Sequence, residues 1–269
     1  MRKRKTFGVV AASCVVLGAG AYAGDVQDVF ARADASQTGS PRCDAVPGNH
    51  GLPQGSEKLS LDAANFSTTI DNPWWPMRPD TKWVFRETNP AGNVQRVVIT
   101  VTDQTKRIAN GIDARVVRDV VTENGTPVEV TSDWYAQDSA GNIWYLGEDT
   151  AEYANGSVAS RAGSFEAGVH GAQAGIALPA DPVAGLCYRQ EYLAGEAEDK
   201  GSIVSVGEEQ VDGPAGYFTD VLMTRDTVPL EPKVEELKFY ARGVGPVLTQ
   251  HVDDSGGRAE LISFTSDDD

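Results

Sequence analysis

Apolar and polar residues alternate along most of the chain from Thr81 onward, for example over 94–108 and 217–226. A period of two places successive side chains on opposite faces of a β-strand, whereas a helix needs a period of 3.6 residues. No segment of useful length shows the helical period, so the pattern predicts an all-β chain. The predicted strands span 81–88, 94–108, 112–122, 126–135, 143–153, 157–165, 187–193, 201–209, 217–226, 234–241, 247–253 and 258–265.

Asn-Gly dipeptides separate several of these strands, at 110–111, 124–125 and 155–156. Asn and Gly both tolerate the left-handed backbone that two-residue hairpin turns require. Each strand is therefore expected to pair with its neighbours in the chain as an antiparallel meander. We predict a single curved antiparallel sheet or an incomplete barrel over 71–265.

The centre of the sheet is predicted to be an aromatic hairpin over 134–150. Trp134 leads into a glycine-containing turn at 138–142, and Trp144 and Tyr145 lead out of it. Aromatic side chains suit the half-buried surface of a pleated sheet, so this hairpin is expected to pack at the middle of the fold.

Two segments depart from the alternation. Prolines around Trp74 and Trp75 forbid regular pairing, so we predict that these tryptophans close one end of the sheet. The alternative is an aromatic platform for a sugar or another ligand. Residues 166–186 are rich in small residues and contain two prolines, which predicts a long ordered loop or lid and not a strand pair.

Two motifs in the second half resemble a theme of exported bacterial β-sheet proteins. They are D-G-P-A-G-Y-F-T-D-V-L at 212–222 and F-Y-A-R-G-V-G-P-V-L at 239–248. The theme is similar to the LolA-like and TapB-like group, in which a curved antiparallel sheet half-wraps a hydrophobic cavity. The resemblance implies a LolA-like or lipocalin-like half-barrel. Arg242 and Pro246 depart from the usual pattern and leave the turn between the strands undetermined.

A closer resemblance covers most of 71–264 and rests on three stretches, 134–150, 188–199 and 239–248. These stretches are similar to a family of uncharacterised secreted bacterial proteins. That resemblance implies the fold and export, and it implies no particular activity.

The first 23 residues are typical of an export signal. A basic stretch over 1–5 precedes an apolar run over 6–20, and Ala-Tyr-Ala at 21–23 fits the small-x-small pattern for cleavage after Ala23. The alternative is a lipoprotein signal with Cys14 as the lipidated residue. We predict a secreted protein.

The composition divides the remaining chain into three parts. Residues 24–70 contain few large apolar side chains and are expected to form a flexible N-terminal arm. The antiparallel β domain over 71–265 follows, and 266–269 form an acidic tail. We expect a monomer.

The formal net charge of −16 restricts the partners of this protein. Nucleic acids and anionic membranes attract basic surfaces, so neither is an expected partner. The apolar run near the N-terminus is too short for a confident membrane span, so we do not expect an integral membrane protein.

Cys43 and Cys187 are the cysteines that remain after signal cleavage. Export makes a disulfide between them the expected state. Closing so long a loop could stabilise the fold by roughly 4 kcal/mol.

Sequence motifs for common catalytic centres are absent. The chain has no G-x-S-x-G elbow, no H-E-x-x-H pair, no P-loop and no dinucleotide fingerprint, so no cofactor is expected. Carboxylates are the remaining reactive groups. Glu148, Glu191 and the glycine-flanked His170 are the candidates for acid–base catalysis, as in glycoside hydrolysis.

The same acidic residues could instead bind a hard cation, because Ca²⁺ takes several oxygen ligands. The candidate calcium ligands are Glu148, Asp149, Glu196, Glu198 and Asp199, although no EF-hand spacing is present. A third interpretation is that these side chains are solvated strand ends.

The leading functional hypothesis is a secreted, non-enzymatic protein that holds a small apolar or amphipathic molecule on the concave face of the sheet. Trp134, Trp144, Tyr145 and His170 are the candidate ligand-binding residues. The alternatives are an extracellular hydrolase or lyase that uses the carboxylates, and a calcium-binding protein of the cell envelope.

Overall fold

The computed structural model describes residues 50–88, 92–252 and 257–266, and these residues contain strands but no α-helix. The strands are β1 (Phe66–Ser67), β2 (Lys82–Thr88), β3 (Val94–Arg107), β4 (Asp113–Glu123), β5 (Thr126–Asp138), β6 (Ile143–Ala154), β7 (Ser157–Ser160), β8 (Phe165–Glu166), β9 (Gln173–Leu178), β10 (Cys187–Arg189), β11 (Glu191–Tyr192), β12 (Lys200–Gly213), β13 (Gly216–Thr227), β14 (Glu235–Ala241), β15 (Gly245–His251) and β16 (Arg258–Thr265). A 3-10 turn at Ala63–Asn65 precedes β1.

The strands form one antiparallel sheet, as the sequence predicted. Its order is β10-β12-β13-β14-β15-β16-β2-β3-β4-β5-β6-β9-β11. The path starts and ends with strands that are consecutive in the chain, so the sheet is nearly closed into a barrel with one seam. Arg189 crosses this seam, because its Nη2 donates to the Ala174 carbonyl oxygen at 2.7 Å.

The predicted aromatic hairpin is confirmed as β5 and β6, but its predicted place at the centre of the sheet was wrong, because only β9 and β11 separate β6 from the seam in the strand order. Tyr135 pairs with Tyr145 across it, and their rings stack at 5.0 Å. Trp75, which is 1% exposed, lies 5.5 Å from the Tyr135 ring and 5.8 Å from the Tyr240 ring. Those tyrosines belong to β5 and β14, which are far apart in the strand order, so the tryptophan closes the end of the sheet as predicted.

The prediction of a strandless loop over 166–186 was wrong, because β9 runs through that segment and pairs with β6. Its small residues permit a close approach of two backbones. A Cβ atom at Gly175 would lie 2.3 Å from the backbone of Gln190, so the seam closes only because this residue is glycine. The composition that suggests a loop therefore reflects tight packing at the seam.

The described part of the predicted N-terminal arm, 50–70, lies against the sheet. Phe66 and Ser67 of β1 pair with β5, and the Phe66 ring packs edge-on against Trp144 at 5.8 Å. Leu52 is buried in the core. In the described part of the chain, no helix has both the length and the apolar character needed to cross a membrane.

Candidate functional site

The register of β4, β5 and β6 places a row of carboxylates inside the sheet. Asp133 on β5 is paired with Val117 on one side and with Glu148 on the other. Cross-strand partners share a face, and so do residues two apart, so Asp119, Thr131 and Asp133 all face inward. Each of them is at most 3% exposed.

A β-bulge in β6 brings Tyr145 and Glu148 to the same face, although residues three apart on a regular strand point in opposite directions. Tyr135 pairs with Tyr145 and Trp134 pairs with Gly147, which leaves Leu146 as the extra residue. Gly147 has a φ of +145°, and a Cβ atom there would lie 2.4 Å from the Phe165 carbonyl oxygen. The bulge therefore depends on glycine at this position.

The bulge creates a hydrogen-bonded triad of Asp133, Tyr145 and Glu148. The Tyr145 hydroxyl oxygen lies 2.8 Å from Asp133 Oδ1 and 2.8 Å from Glu148 Oε2. One hydroxyl has one proton and can donate to only one of these oxygens. A second hydrogen bond therefore requires one of the two carboxyl groups to be protonated and to donate to the tyrosine.

Burial favours the protonated state of these groups. It raises the pKa of Asp133 to about 7, even though the Tyr145 hydrogen bond acts in the opposite direction. Burial and the nearby charge of Asp133 raise the pKa of Glu148 well above its usual range. The triad therefore holds a proton near neutral pH.

Further buried carboxyl groups surround the triad, including Glu129, whose charge helps to raise the pKa of both Asp133 and Glu148. Burial raises the pKa of Asp119, and the negative charge of Asp133 adds to the effect. Burial and the charges of Asp199 and then Glu148 raise the pKa of Glu191. The pKa of Asp199 is also raised by burial. Glu191 and Glu148, two of the predicted catalytic candidates, thus act on each other inside the sheet.

The opposite wall of the interior carries its own cation. Lys238 on β14 lies 2.8 Å from Asp226 Oδ2 and 3.5 Å from Glu236 Oε2, and it is 1% exposed. His251 Nδ1 lies 3.5 Å from the other oxygen of Glu236. Within the described ranges, no such cation forms an ion pair with Asp119, Asp133 or Glu148. The charge of Lys238 also acts on Glu191 and Asp199, where it lowers the pKa against the larger effect of burial.

An open pocket of about 400 Å³ lies beside Glu148, and we call it the Trp134 pocket. Its apolar lining comes from Trp134, Phe165, Val169 and Leu193, and its polar lining from Lys106, Glu148, Asp149, Ser164, Glu166 and His170. Lys106 Nζ lies 4.1 Å from the Trp134 ring centroid and 3.0 Å from Glu166 Oε2. Glu148 belongs both to this lining and to the triad, but its carboxyl group is buried, and Trp134 points to the opposite face of β5 from Asp133 and Tyr135.

The structure separates the predicted ligand-binding residues. Trp134 and His170 line the same pocket. Tyr145 lies in the interior, and Trp144 donates from Nε1 to Asp138 at 2.7 Å, under the Phe66 ring. A ligand-binding role for all four residues stays a prediction.

The predicted calcium ligands lie in different surroundings. Asp149 is exposed and forms an ion pair with Arg161 at 2.5 Å, Glu196 is exposed, and Asp199 is buried. Among the described residues, no group of three or more His, Cys, Asp or Glu side chains is arranged to hold a metal ion. Calcium binding stays a prediction that this arrangement does not support.

Sequence reasoning missed Asp119 and Asp133, which contribute most directly to the buried site. A signal for Asp133 existed, because it is two residues before the aromatic Tyr135 in a predicted strand and must share its face. Polar residues that lie an even number of positions from a core aromatic residue of the same strand share its face, and in neighbouring strands such residues would have identified the carboxylate interior.

Cys187 is buried at the start of β10. Cys43, its predicted disulfide partner, lies outside the described residues, as do the signal segment with Cys14 and Ala23. The pairing of the cysteines, the cleavage site and the lipoprotein alternative therefore stay predictions.

The chain matches no protein-family model and no curated protein. Two solved structures resemble it. One is a protein of Bacteroides fragilis described as exported and with a YmcC-like fold, at 13% identity and a TM-score of 0.39, covering 72% of this chain and 99% of that one. The other is a protein of Parabacteroides distasonis described as a lipoprotein, at 16% identity and a TM-score of 0.39, covering 71% and 98%.

Similarities at this level carry no conclusion about activity. The resemblance to LolA-like and TapB-like proteins stays a prediction.

Proposed function

We propose that this protein is an exported binding protein that holds a small amphipathic molecule in the Trp134 pocket. The observation that carries this proposal is the pocket itself, because it combines an aromatic and aliphatic wall with charged groups. A volume of about 400 Å³ is in the range of small-molecule sites. The predicted residues Trp134, Glu148 and His170 share this pocket.

The two parts of the lining would hold the two parts of the ligand. Trp134 and Phe165 offer ring surface to an apolar segment, and removing such a segment from water is favourable by about 25 cal/mol per Å². Lys106 and Glu166 form an ion pair at 3.0 Å in the polar part of the lining, and these two groups together with the Ser164 hydroxyl would bind the polar group of the ligand.

The test uses N-phenyl-1-naphthylamine, a neutral apolar dye whose fluorescence rises when it binds an apolar site. We expect the wild-type protein to bind the dye and Trp134→Ala to weaken binding by about tenfold or more, because the largest ring of the wall is lost. Tyr217→Ala is the matched control, since Tyr217 is an aromatic residue that is 61% exposed on β13. Equal dye binding by all three proteins would contradict the proposal.

A second candidate function is acid–base catalysis on a glycan or a similar substrate. It is favoured by the triad, because a carboxyl group that holds its proton near neutral pH can act as a general acid. Glu148 would be the residue that reaches the pocket. Release of reducing sugar from cell-wall glycan by the wild type, and its loss in Glu148→Gln, is the expected result; no turnover by the wild type would remove this candidate.

A further inference from the structure

A second open pocket lies beside the proline-rich segment that closes the end of the sheet, and we call it the arginine pocket. It has a volume of about 440 Å³, and Arg78 and Arg242 both line it. Its described lining contains one carboxylate, Asp71, whose Oδ1 accepts a hydrogen bond from Gln137 Nε2 at 2.6 Å. The pocket is therefore a locally basic site on a chain whose formal net charge is −16.

The guanidinium group of Arg242 is held in place by an aromatic ring. Arg242 lies in the turn between β14 and β15, and its guanidinium carbon lies 3.9 Å from the centroid of the Trp74 ring, which is 2% exposed. Contact with an aromatic face orients a guanidinium group but uses none of its five N–H donors. Among the described residues, no carboxylate forms an ion pair with Arg242. Its donors are therefore available to a ligand in the pocket.

The backbone that carries the two arginines is also fixed. Gly243 N, next to Arg242, donates to the Pro73 carbonyl oxygen at 2.8 Å, and this bond ties the turn to the proline-rich segment. Thr81 N donates to the Arg78 carbonyl oxygen at 3.1 Å and closes a turn there. Groups that are already in position lose little freedom on binding, so the cost of ordering the site is small.

The lining indicates the class of ligand. The planar fork of a guanidinium group matches the oxygens of a carboxylate or a phosphate, with which it forms strong charge-assisted hydrogen bonds. The rest of the wall includes the half-buried Phe264 ring and the side chains of Pro73 and Pro76. An organic group would cover this apolar surface, and a bare inorganic ion would leave it in water.

We propose that the arginine pocket binds the carboxylate or phosphate group of a small organic anion through Arg242 and Arg78, with the organic part of the ligand against Phe264. The pocket shares no lining residue with the Trp134 pocket. It is therefore a separate site, and it does not depend on the proposed function.

The experiment titrates the ¹⁵N-labelled protein with phenyl phosphate, benzoate and the neutral benzyl alcohol, and follows the indole N–H signals of the five tryptophans by NMR. Trp74→Phe and Trp134→Phe assign the two signals that report on the two pockets. Both anions should shift the Trp74 signal with a Kd at least about tenfold below that of benzyl alcohol, because only they accept charge-assisted hydrogen bonds. The tighter of the two anions identifies the preferred group as phosphate or carboxylate.

Three substitutions of arginine by methionine test the assignment. Arg242→Met keeps an aliphatic chain over the Trp74 ring and removes the guanidinium group, so both anions should bind about tenfold or more weaker and benzyl alcohol should be unchanged. Arg78→Met should weaken both anions by about threefold or more. Arg118→Met, which removes an exposed arginine on β4, is the matched control and should bind them as the wild type does. Circular dichroism establishes that each variant is folded.

Several outcomes would overturn the arginine site. They are equal binding of the anions and benzyl alcohol, the absence of a Trp74 shift with either anion, and anion binding that survives in both Arg242→Met and Arg78→Met. An anion that shifts the Trp134 signal and not the Trp74 signal would overturn it as well. Inorganic phosphate that binds as tightly as phenyl phosphate would overturn the organic part of the ligand. None of these results affects dye binding in the Trp134 pocket, so the two proposals fail separately.

Discussion

Replacing Asp133 by asparagine tests whether the interior triad makes the fold less stable as pH rises. The folded chain holds a proton on Asp133 up to a pKa of about 7, whereas the ordinary value for Asp is 3.8. Between these two pH values the folded state binds more protons than the unfolded state, so the free energy of unfolding falls as pH increases. The contribution is fully present below pH 3.8 and is lost as pH rises to about 7.

The size of this contribution follows from the difference between the ordinary pKa of Asp and the pKa of Asp133 in the folded chain. At about 1.36 kcal/mol per pKa unit, the change from 3.8 to about 7 corresponds to about 4 kcal/mol, taken as an upper limit. The amide side chain of the Asp133→Asn variant cannot ionise but can still accept the Tyr145 hydrogen bond. We therefore expect Asp133→Asn to be within about 1 kcal/mol of the wild type at pH 4.5 and more stable by up to about 4 kcal/mol at pH 8.

The assay is urea unfolding followed by tryptophan fluorescence at about pH 4.5, 6 and 8. Asp212→Asn is the matched control, because Asp212 is exposed on β12, and its stability difference from the wild type should not vary with pH. Glu148 shares the proton with Asp133, so part of the pH dependence should remain in Asp133→Asn. Parallel profiles for the wild type and Asp133→Asn, or a wild type that gains stability across this pH range, would refute the reasoning.

Three further substitutions test the packing of the barrel. Gly175→Val should prevent the seam from closing and yield little folded protein, because a Cβ atom there would lie 2.3 Å from the Gln190 backbone; recovery of soluble protein with wild-type circular dichroism would contradict this. Lys238→Met should lower the free energy of unfolding by about 3–5 kcal/mol near neutral pH, because it leaves Asp226 buried without its cation, and an unchanged urea midpoint would argue against the ion pair. Trp75→Ala should cost about 3–5 kcal/mol in the same assay by emptying the end of the barrel, and a loss below about 1 kcal/mol would show that other residues close it.

Much of the fold follows from local sequence patterns. Alternation sets the face of each side chain within a strand, and turns such as Asn124-Gly125 set which strands are neighbours, because both effects act over a few residues. The closing role of Trp75 could be predicted for a similar reason, since the prolines around it exclude strand pairing.

The candidate site could be predicted only in part. The sequence indicates Glu148, Glu191 and His170 as acidic or glycine-flanked residues near strand ends, and Glu148 belongs both to the pocket lining and to the buried triad. Asp133 was missed, because a charged residue in a strand is expected to face solvent unless its partners are known.

Alternation and turn chemistry act over a few residues, so they specify the all-β class and the order of hairpins without any knowledge of the folded sheet. Three features became evident from the folded chain alone: the acidic row of β4, β5 and β6 faces inward, the bulge at Leu146 brings Tyr145 and Glu148 together, and Gly175 closes the seam. Each of them depends on strands that meet across the closed sheet and not on neighbours in the chain, and so does the burial that keeps Asp133 protonated.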